Sequence, residues 1–301
     1  MLAAMWTRRE FGKLSASAIV ALATNKLFAA AKPAIGAQLY TVRQQAEKDL
    51  TATLKAIHEI GYPEVETYSG VYKNYSAKDL RKLIADNGLT VPSGHFDYEN
   101  FQAKFDYANE LGVHYMVCSI LPRPMWTADG FKQAADQFNQ WGAELKKRGM
   151  RFAFHNHNYE FKSLVDFNGY DTMSPMGMDP DKLNGYGVLL AFTDPKLVFF
   201  EVDCYWAAEA GRDPVKMLQE NPGRIRMLHL KDRKPGFPTS QVLDDASKHF
   251  AEVGNGTLDW KGILSLAKKN KVEYMFVEQD LTDRTPLESL RISYDNLQKL
   301  L

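Results

Sequence analysis

Eight times along this chain a short apolar run gives way to a helix-length segment. That alternation restricts the fold to a parallel sheet flanked by helices. The runs fall at Ile35–Tyr40, Val65–Thr67, Thr90–His95, Tyr115–Ser119, Arg151–Asn158, Leu197–Asp203, Ile225–Lys231 and Tyr274–Glu278. Between them, Leu50–Ile60 sets Leu50, Leu54, Ile57 and Ile60 on one stripe. Ser76–Asn87, Phe101–Leu111, Gly130–Arg148 and Trp260–Lys269 carry the same helical period. Gly61, Gly88, Gly112 and Gly149 each stand between a helical segment and the next run, where a helix ends. Eight βα units in about 270 residues predict an α/β fold, a single closed (β/α)₈ TIM barrel. A doubly wound open sheet is the rival. It would usually need fewer strands, and no GxGxxG follows any strand here.

Before the first run, Thr7-Arg8-Arg9-Glu10-Phe11-Gly12-Lys13 precedes a mildly apolar stretch, Leu14 to Ala31, that ends in small residues. This resembles a twin-arginine export signal. The alternative is an amphipathic first helix. The stretch is too polar and too short for the roughly 20 apolar residues of a membrane span. Residues 1–31 are therefore expected to be the signal and 32–301 the barrel. The expected location is periplasmic, and the export machinery is an expected partner. That route carries folded proteins. Formal net charge is zero with no basic block, which argues against nucleic-acid binding. Cys118 and Cys204 lie on runs four and six, which are not neighbours, so two free buried thiols are expected rather than a disulfide.

The chemistry is written at the ends of the late runs. RFAFHNHN closes on His155 and His157, LVFFEVD on Asp203, IRMLHLKD on His229 and YMFVEQD on Glu278. Strand side chains alternate between faces. Glu201 therefore shares a face with Asp203, His229 with Lys231, His155 with His157, and Glu278 with Phe276 and Asp280. Carboxylates and imidazoles meeting at one rim suit Zn²⁺, Mn²⁺, Co²⁺ or Fe²⁺. A bound cation would polarise a substrate oxygen and acidify the adjacent C–H for a nearby base. Each residue also has a plain structural reading. Asp203 can cap the following helix, and His229 can be a hydrogen-bonded core histidine. Glu278 is costly to bury without a partner. His155 and His157 compete for one ligand position, and Glu160 and Glu201 are spare carboxylates able to support the ligands. Earlier strand ends add Gln38, Glu66 and His95 as pocket candidates. Tyr40, Tyr68, Phe96, Trp126 and Trp206 can stack on the flat face of a ligand or simply pack the mouth. The Gly-, Pro- and Met-rich segment after Phe161, with only a short apolar piece at Val188–Phe192, reads as a long loop over the mouth or a surface excursion. The loop Arg233–Thr257 is a second wall.

The runs HNHNYEF, EVDCYWAAEAG, LHLKD, EVGNGTLDW and VEQD resemble the sugar phosphate isomerase/epimerase family, the xylose-isomerase-like barrels. The likeness extends from about Ile35 to Leu301 and is specific in the second half. It implies one divalent metal (Mn, Zn, Co or Fe) at the carboxyl-terminal rim and a small carbohydrate substrate. Asp203, His229 and Glu278 match the family's last three ligands. His155 stands where many members carry a ligand glutamate, and Trp206 where many epimerases carry a histidine. The implied ligand set is His155, Asp203, His229 and Glu278. The implied catalytic residues are Glu278, Lys231 and His157, with Gln38, Glu66, His95, Glu160 and Trp206 around the substrate. The expected activity is isomerase/epimerase-type proton abstraction next to a carbonyl of a non-phosphorylated carbohydrate. Loss of a ligand glutamate leaves a one-sided site, which suits elimination. The His-rich fifth strand and HLKD are similar to inosose dehydratase, and lyases of 3-keto-glycosides are a further template. A sugar-binding protein with a vestigial site and an AP-endonuclease-like nuclease are the other readings. The nuclease would need more metal ligands and a basic face. Pairing into a homo-oligomer through outer helices is left open.

Overall fold

The computed structural model describes residues 34–164, 183–245 and 249–301. The expected export segment, residues 1–31, lies outside them, as does 165–182 of the expected mouth loop. The strands are β1 (Ile35–Gln38), β2 (Glu64–Thr67), β3 (Thr90–Phe96), β4 (Tyr115–Cys118), β5 (Arg151–His155), β6 (Val198–Asp203), β7 (Ile225–Leu230) and β8 (Tyr274–Val277). All neighbours are parallel, and β1 pairs with β8 as well as β2, which closes the barrel. Each strand matches an apolar run named above, and the chain is a TIM barrel.

Alternation sorts the side chains into two cores. Val198, Phe200 and Val202 on β6, and Leu228 and Leu230 on β7, join the large cluster between sheet and helices; Ile225 joins them too, because a register shift near the start of β7 breaks the alternation before Met227. The opposite parity fills the barrel with Tyr115, Val117, Ala153, Met227 and Phe276, against which Phe199 and Tyr274 pack. Gly36 makes room for this filling. A Cβ there would stand 2.6 Å from the Phe276 ring and 2.9 Å from the Glu64 carbonyl. Above the apolar layers the interior turns polar. The register aligns Gln38 with Glu66, Glu66 with Ser93, His155 with Glu201 and Asp203 with His229. The residues that carry chemistry therefore arrive in adjacent layers at one end of the barrel.

The helices form where their caps and stripes dictate. Leu50–Ile60 buries Leu50, Leu54, Ile57 and Ile60 as its period requires, and Asp49 accepts from the Ala52 N–H at 2.9 Å. Gly112 ends Phe105–Leu111 at φ 87°, a left-handed cap that a side chain would resist. That helix begins one turn later than its pattern predicts, because Tyr98–Asn100 and Gln102–Lys104 form 3₁₀ turns first. A second difference lies after β5. The apolar piece expected within the mouth loop is the end of a helix, Gly185–Phe192. Gly185 lies against Phe131 of the helix Ala128–Lys147, so close that a Cβ would stand 2.2 Å from the ring. Tyr186 sits between Phe161 and Phe200. This helix belongs to the outer shell, not the mouth. Pro286–Leu300 closes the chain behind a Thr285–Glu288 capping box. Cys118 and Cys204 are buried and free. Among the described residues no helix is long and apolar enough to cross a membrane.

Candidate metal centre

The polar layer holds a run of buried ionisable groups with few equals in a protein interior. Glu66, Glu201, Asp203, His229 and Lys231 have no exposed surface, and His155, Glu278 and His95 have almost none. Burial without partners would be prohibitive, and the partners interlock. His229 Nε2 meets Glu66 Oε2 at 2.6 Å, while its Nδ1 faces Glu278 Oε2 at 3.0 Å and Asp203 Oδ2 at 3.8 Å. His155 Nδ1 meets Glu201 Oε2 at 3.2 Å, and the same oxygen takes His95 Nε2 at 2.8 Å. Gln38 donates to Glu66 at 2.7 Å, and Ser93 donates to its other oxygen. Lys231 Nζ stands 2.6 Å from Glu278, 3.1 Å from Asp203 and 2.5 Å from Asp280.

Two overlapping quartets offer ligand atoms within 4.8 Å of one another: His155, Asp203, His229 and Glu278, and His95, His155, Glu201 and His229. Ligands about 2.1 Å from a common ion lie about 3–4 Å apart, so either set is near the needed spacing. Hydrogen bonding separates them. Glu201 Oε2 already holds His95 and His155, and Glu66 holds His229 Nε2. Those carboxylates are placed to fix the imidazoles by one nitrogen and present the other, as outer partners of metal-bound histidines do. With Nε2–H given to Glu66, the His229 Nδ1 lone pair faces Asp203 and Glu278. With Nδ1–H given to Glu201, His155 keeps Nε2. Asp203 divides its oxygens. Oδ1 caps the helix Cys204–Glu209 by accepting from the Trp206 N–H at 2.8 Å, whereas Oδ2 has no hydrogen bond beyond its ion pair with Lys231. The cap and the ligand readings of Asp203 are thus compatible. The buried His, Asp and Glu donors fit a divalent cation of the Zn, Mn, Co or Fe type.

The charges follow the same division. Burial works against Lys231, but Asp203, Asp280 and Glu278 outweigh it and hold the amine well above its ordinary value, as an ammonium. Burial would raise Glu278, yet Lys231 and His229 hold it well below the usual carboxylate range. Burial and the neighbouring Glu66 charge push Glu201 up to about 7. Glu66 is held low by His95 and His229 against its burial. Burial, and then the Lys231 charge, push His157 down to about 3, so it is neutral.

Each predicted residue has a definite place. His155, Asp203, His229 and Glu278 converge. Lys231 joins them as a cation, so it is placed to donate a proton or steady an anion rather than to act as a base. His157 is half-buried, its Nδ1 is without a hydrogen bond, and its ring lies 5.3 Å from Trp206. Trp206 lies over Lys231 Nζ at 5.6 Å with Nε1 unpartnered. Gln38 and Glu66, predicted to touch substrate, lie sealed beneath the histidines as supports, and His95 bridges Glu66 and Glu201. Glu160 departs furthest. It lies on the 3₁₀ turn Tyr159–Phe161, where its carboxylate accepts from the His157 N–H at 2.9 Å. It belongs to no ligand group found among the described residues. Glu160 lies past the end of β5, fully buried, where it supports the His157 backbone. Of the aromatic candidates, Phe96 stacks on Tyr72 and Trp126 on Tyr159 at 3.7 Å, so both are packing residues. Ser93 and the Lys231 contact of Asp280 were not foreseen. Asp280 shares parity with Glu278, and that was their only signal.

The loop after β7 does form a wall. Asp232–Arg233 pairs antiparallel with Phe250–Ala251. Asp232 accepts from the N–H groups of Arg233, Gly254, Gly256 and Leu258 and from Trp260 Nε1. Gly256 approaches so closely that a Cβ would lie 2.2 Å from Asp232 Oδ1. That cage accounts for the EVGNGTLDW segment. Arg123 clasps Asp244 at 2.9 Å, and Asn158 donates to the Ser240 carbonyl at 3.0 Å, tying the wall across to the β4 and β5 loops.

Comparison with known proteins agrees with this architecture. A family model described as xylose isomerase-like TIM barrel matches residues 54–294. The inosose dehydratase of Clostridium tetani is 26% identical over 180 residues, covering 55% of this chain and 53% of that protein, so the match spans about half its length. The inosose dehydratase of Mesomycoplasma hyopneumoniae strain J is 27% identical over 239 residues, 71% of this chain and 74% of that protein. The crystal structure of a sugar phosphate isomerase/epimerase from Parabacteroides distasonis superposes with a TM-score of 0.72 at 27% identity. It covers 90% of this chain and 95% of that one. The chain belongs to the xylose isomerase-like TIM barrel family.

Proposed function

We propose that this member of the family is a metal-dependent enzyme that abstracts the proton next to a carbonyl of a non-phosphorylated carbohydrate and then expels the β-substituent. The observation that carries this reading is the convergence of His155, Asp203, His229 and Glu278 beside a fully buried lysine, Lys231, that pairs with two of them. The four donors would hold one divalent ion, which when bound supplies Lewis acidity to a substrate oxygen. His157 is neutral and partly buried, and its Nδ1 is buried without a hydrogen bond, so we assign it to accept the carbon-bound proton. Lys231 faces the same space as a cation. It steadies the enolate oxygen and can return a proton to the departing oxygen, so that hydroxyl leaves as water or a glycoside as its alcohol. Trp206 closes the wall beside both groups. Kinship with inosose dehydratases supports the elimination outcome.

The second reading, isomerase/epimerase, is supported by the likeness to the Parabacteroides distasonis protein. It requires reprotonation on carbon instead of expulsion. Incubation with 2-keto- and 3-keto-sugars and their glycosides in D₂O tests both. Elimination yields an unsaturated product and a released group. Epimerisation yields deuterated sugar of unchanged composition. Neither product, with the metal-loaded protein, contradicts the proposal. We also hold to the export reading of residues 1–31. Replacing Arg8 and Arg9 with lysine is expected to leave the protein inside the cytoplasm, and unchanged periplasmic recovery would contradict it.

A further inference from the structure

We propose that the amino-terminal end of the barrel, opposite the candidate metal centre, carries a binding site for a small phosphoryl anion. A cavity of about 320 Å³ opens there among Lys146, Arg151, Lys196, Arg226, Leu197 and Phe199. That volume is at the lower end of small-molecule sites, roughly 300–1,000 Å³. Four cations line it and no carboxylate does. Asp194 accepts from the Lys196 backbone N–H at 2.7 Å, and among the described residues Glu273 is the one acid that forms an ion pair with their side chains. It takes Arg151 Nη1 at 2.7 Å and Arg226 Nε at 3.5 Å. Two guanidiniums thus share one carboxylate, and Lys146 and Lys196 have no ion pair among the described residues.

The donors are not used up. Arg151 spends only Nη1, on Glu273 and the Tyr115 hydroxyl. Arg226 Nε is buried with no hydrogen-bond partner, and its Nη1 reaches only the Lys271 carbonyl at 3.4 Å. Each guanidinium has five N–H donors in a planar fork that matches phosphate oxygens. Phe199 lies under both, with Arg151 Cζ 5.9 Å and Arg226 Cζ 5.6 Å from its ring centre, and so fixes their planes. A cluster of like charges in a concave site repels itself and draws an anion. The placement gives the anion a consequence. Arg151 opens β5, Lys196 lies just before β6, and Arg226 is near the start of β7. The same strands end at His155 and Asp203 and, one residue before the end of β7, at His229. An anion here would brace the three strands that present those side chains.

The test is calorimetric titration of the full chain with inorganic phosphate, ionic strength held constant with sodium chloride. One saturable site is expected. Lys146→Gln with Lys196→Gln, both exposed positions whose loss does not threaten the core, is expected to weaken binding at least tenfold. Asp203→Asn is expected to leave it unchanged, which separates this site from the candidate metal centre. Absence of saturable binding, equal affinity in the double variant, or loss of binding in Asp203→Asn would each overturn the proposal.

Discussion

Replacing Lys231 with methionine isolates the charge at the heart of the polar layer. Methionine keeps most of the volume and removes the ammonium that stands 2.6 Å from Glu278, 3.1 Å from Asp203 and 2.5 Å from Asp280. Asp203 and Glu278 are then buried with His229 as their remaining partner. Breaking a buried ion pair in this way costs about 3–5 kcal/mol. For a domain of this size each kcal/mol moves the melting midpoint by about 2 °C, so the chelated variant is expected to melt about 5–10 °C below wild type. A divalent cation supplies the missing positive charge to Asp203 and Glu278. Saturating Mn²⁺ or Zn²⁺ is therefore expected to narrow the gap. Thermal unfolding followed by circular dichroism, with chelator and with metal, reads both effects. Midpoints within about 1 °C in chelator, or a gap that metal leaves unchanged, would refute the reasoning.

Three further outcomes follow from particular contacts. His157→Ala is expected to lower turnover by about 10²–10⁴ with bound metal unchanged, whereas His155→Ala is expected to lose the metal; elemental analysis beside an initial-rate assay distinguishes them. Asp203→Ala removes both the ligand oxygen and the cap on Trp206 N–H, while Asp203→Asn can keep the cap. Asn is therefore expected to be about 1 kcal/mol more stable than Ala in denaturant, with metal binding impaired in both. Burial pushes the Glu160 carboxyl from 4.5 up to about 8. Between those values the unfolded chain has released a proton that the folded chain retains, so this group's contribution to stability falls as pH rises through that window. Glu160→Gln is expected to flatten the decline in denaturation free energy from pH 5 to pH 8, and parallel profiles would contradict the assignment.

What could be read from residues alone has a physical boundary. The strands were legible because each is a short apolar run, and glycines such as Gly112 stop the helix before the next one. The convergence of Asp203, His229 and Glu278 was legible because alternation along β6 and β7 fixes the first two, Glu278 follows β8 directly, and the barrel brings strand ends to one rim. Reasoning failed where the period changes. Gly185–Phe192 is apolar nearly all round and contains two glycines, so it carries no amphipathic signature. Glu160 lies beyond the end of β5 on a 3₁₀ turn, where counting by twos has no meaning. Depth was also illegible. Glu66, expected beside the substrate, lies one layer lower as a partner of His229, whereas Glu201 supports His155 and His95 as a spare carboxylate was expected to. That Lys231 shares a face with His229 was legible, but its carboxylate partners were not. Its three carboxylates come from β6 and from beyond the end of β8, and only the closed barrel assembles them.

Anomalous diffraction at the absorption edge of the bound metal, on crystals grown from metal-loaded protein, bears most directly on the account. A single strong peak coordinated by His155, Asp203, His229 and Glu278, with Glu66 still hydrogen-bonded to His229 Nε2, is the predicted result. A peak seated instead among His95, Glu201 and His229, or none at full loading, would contradict it.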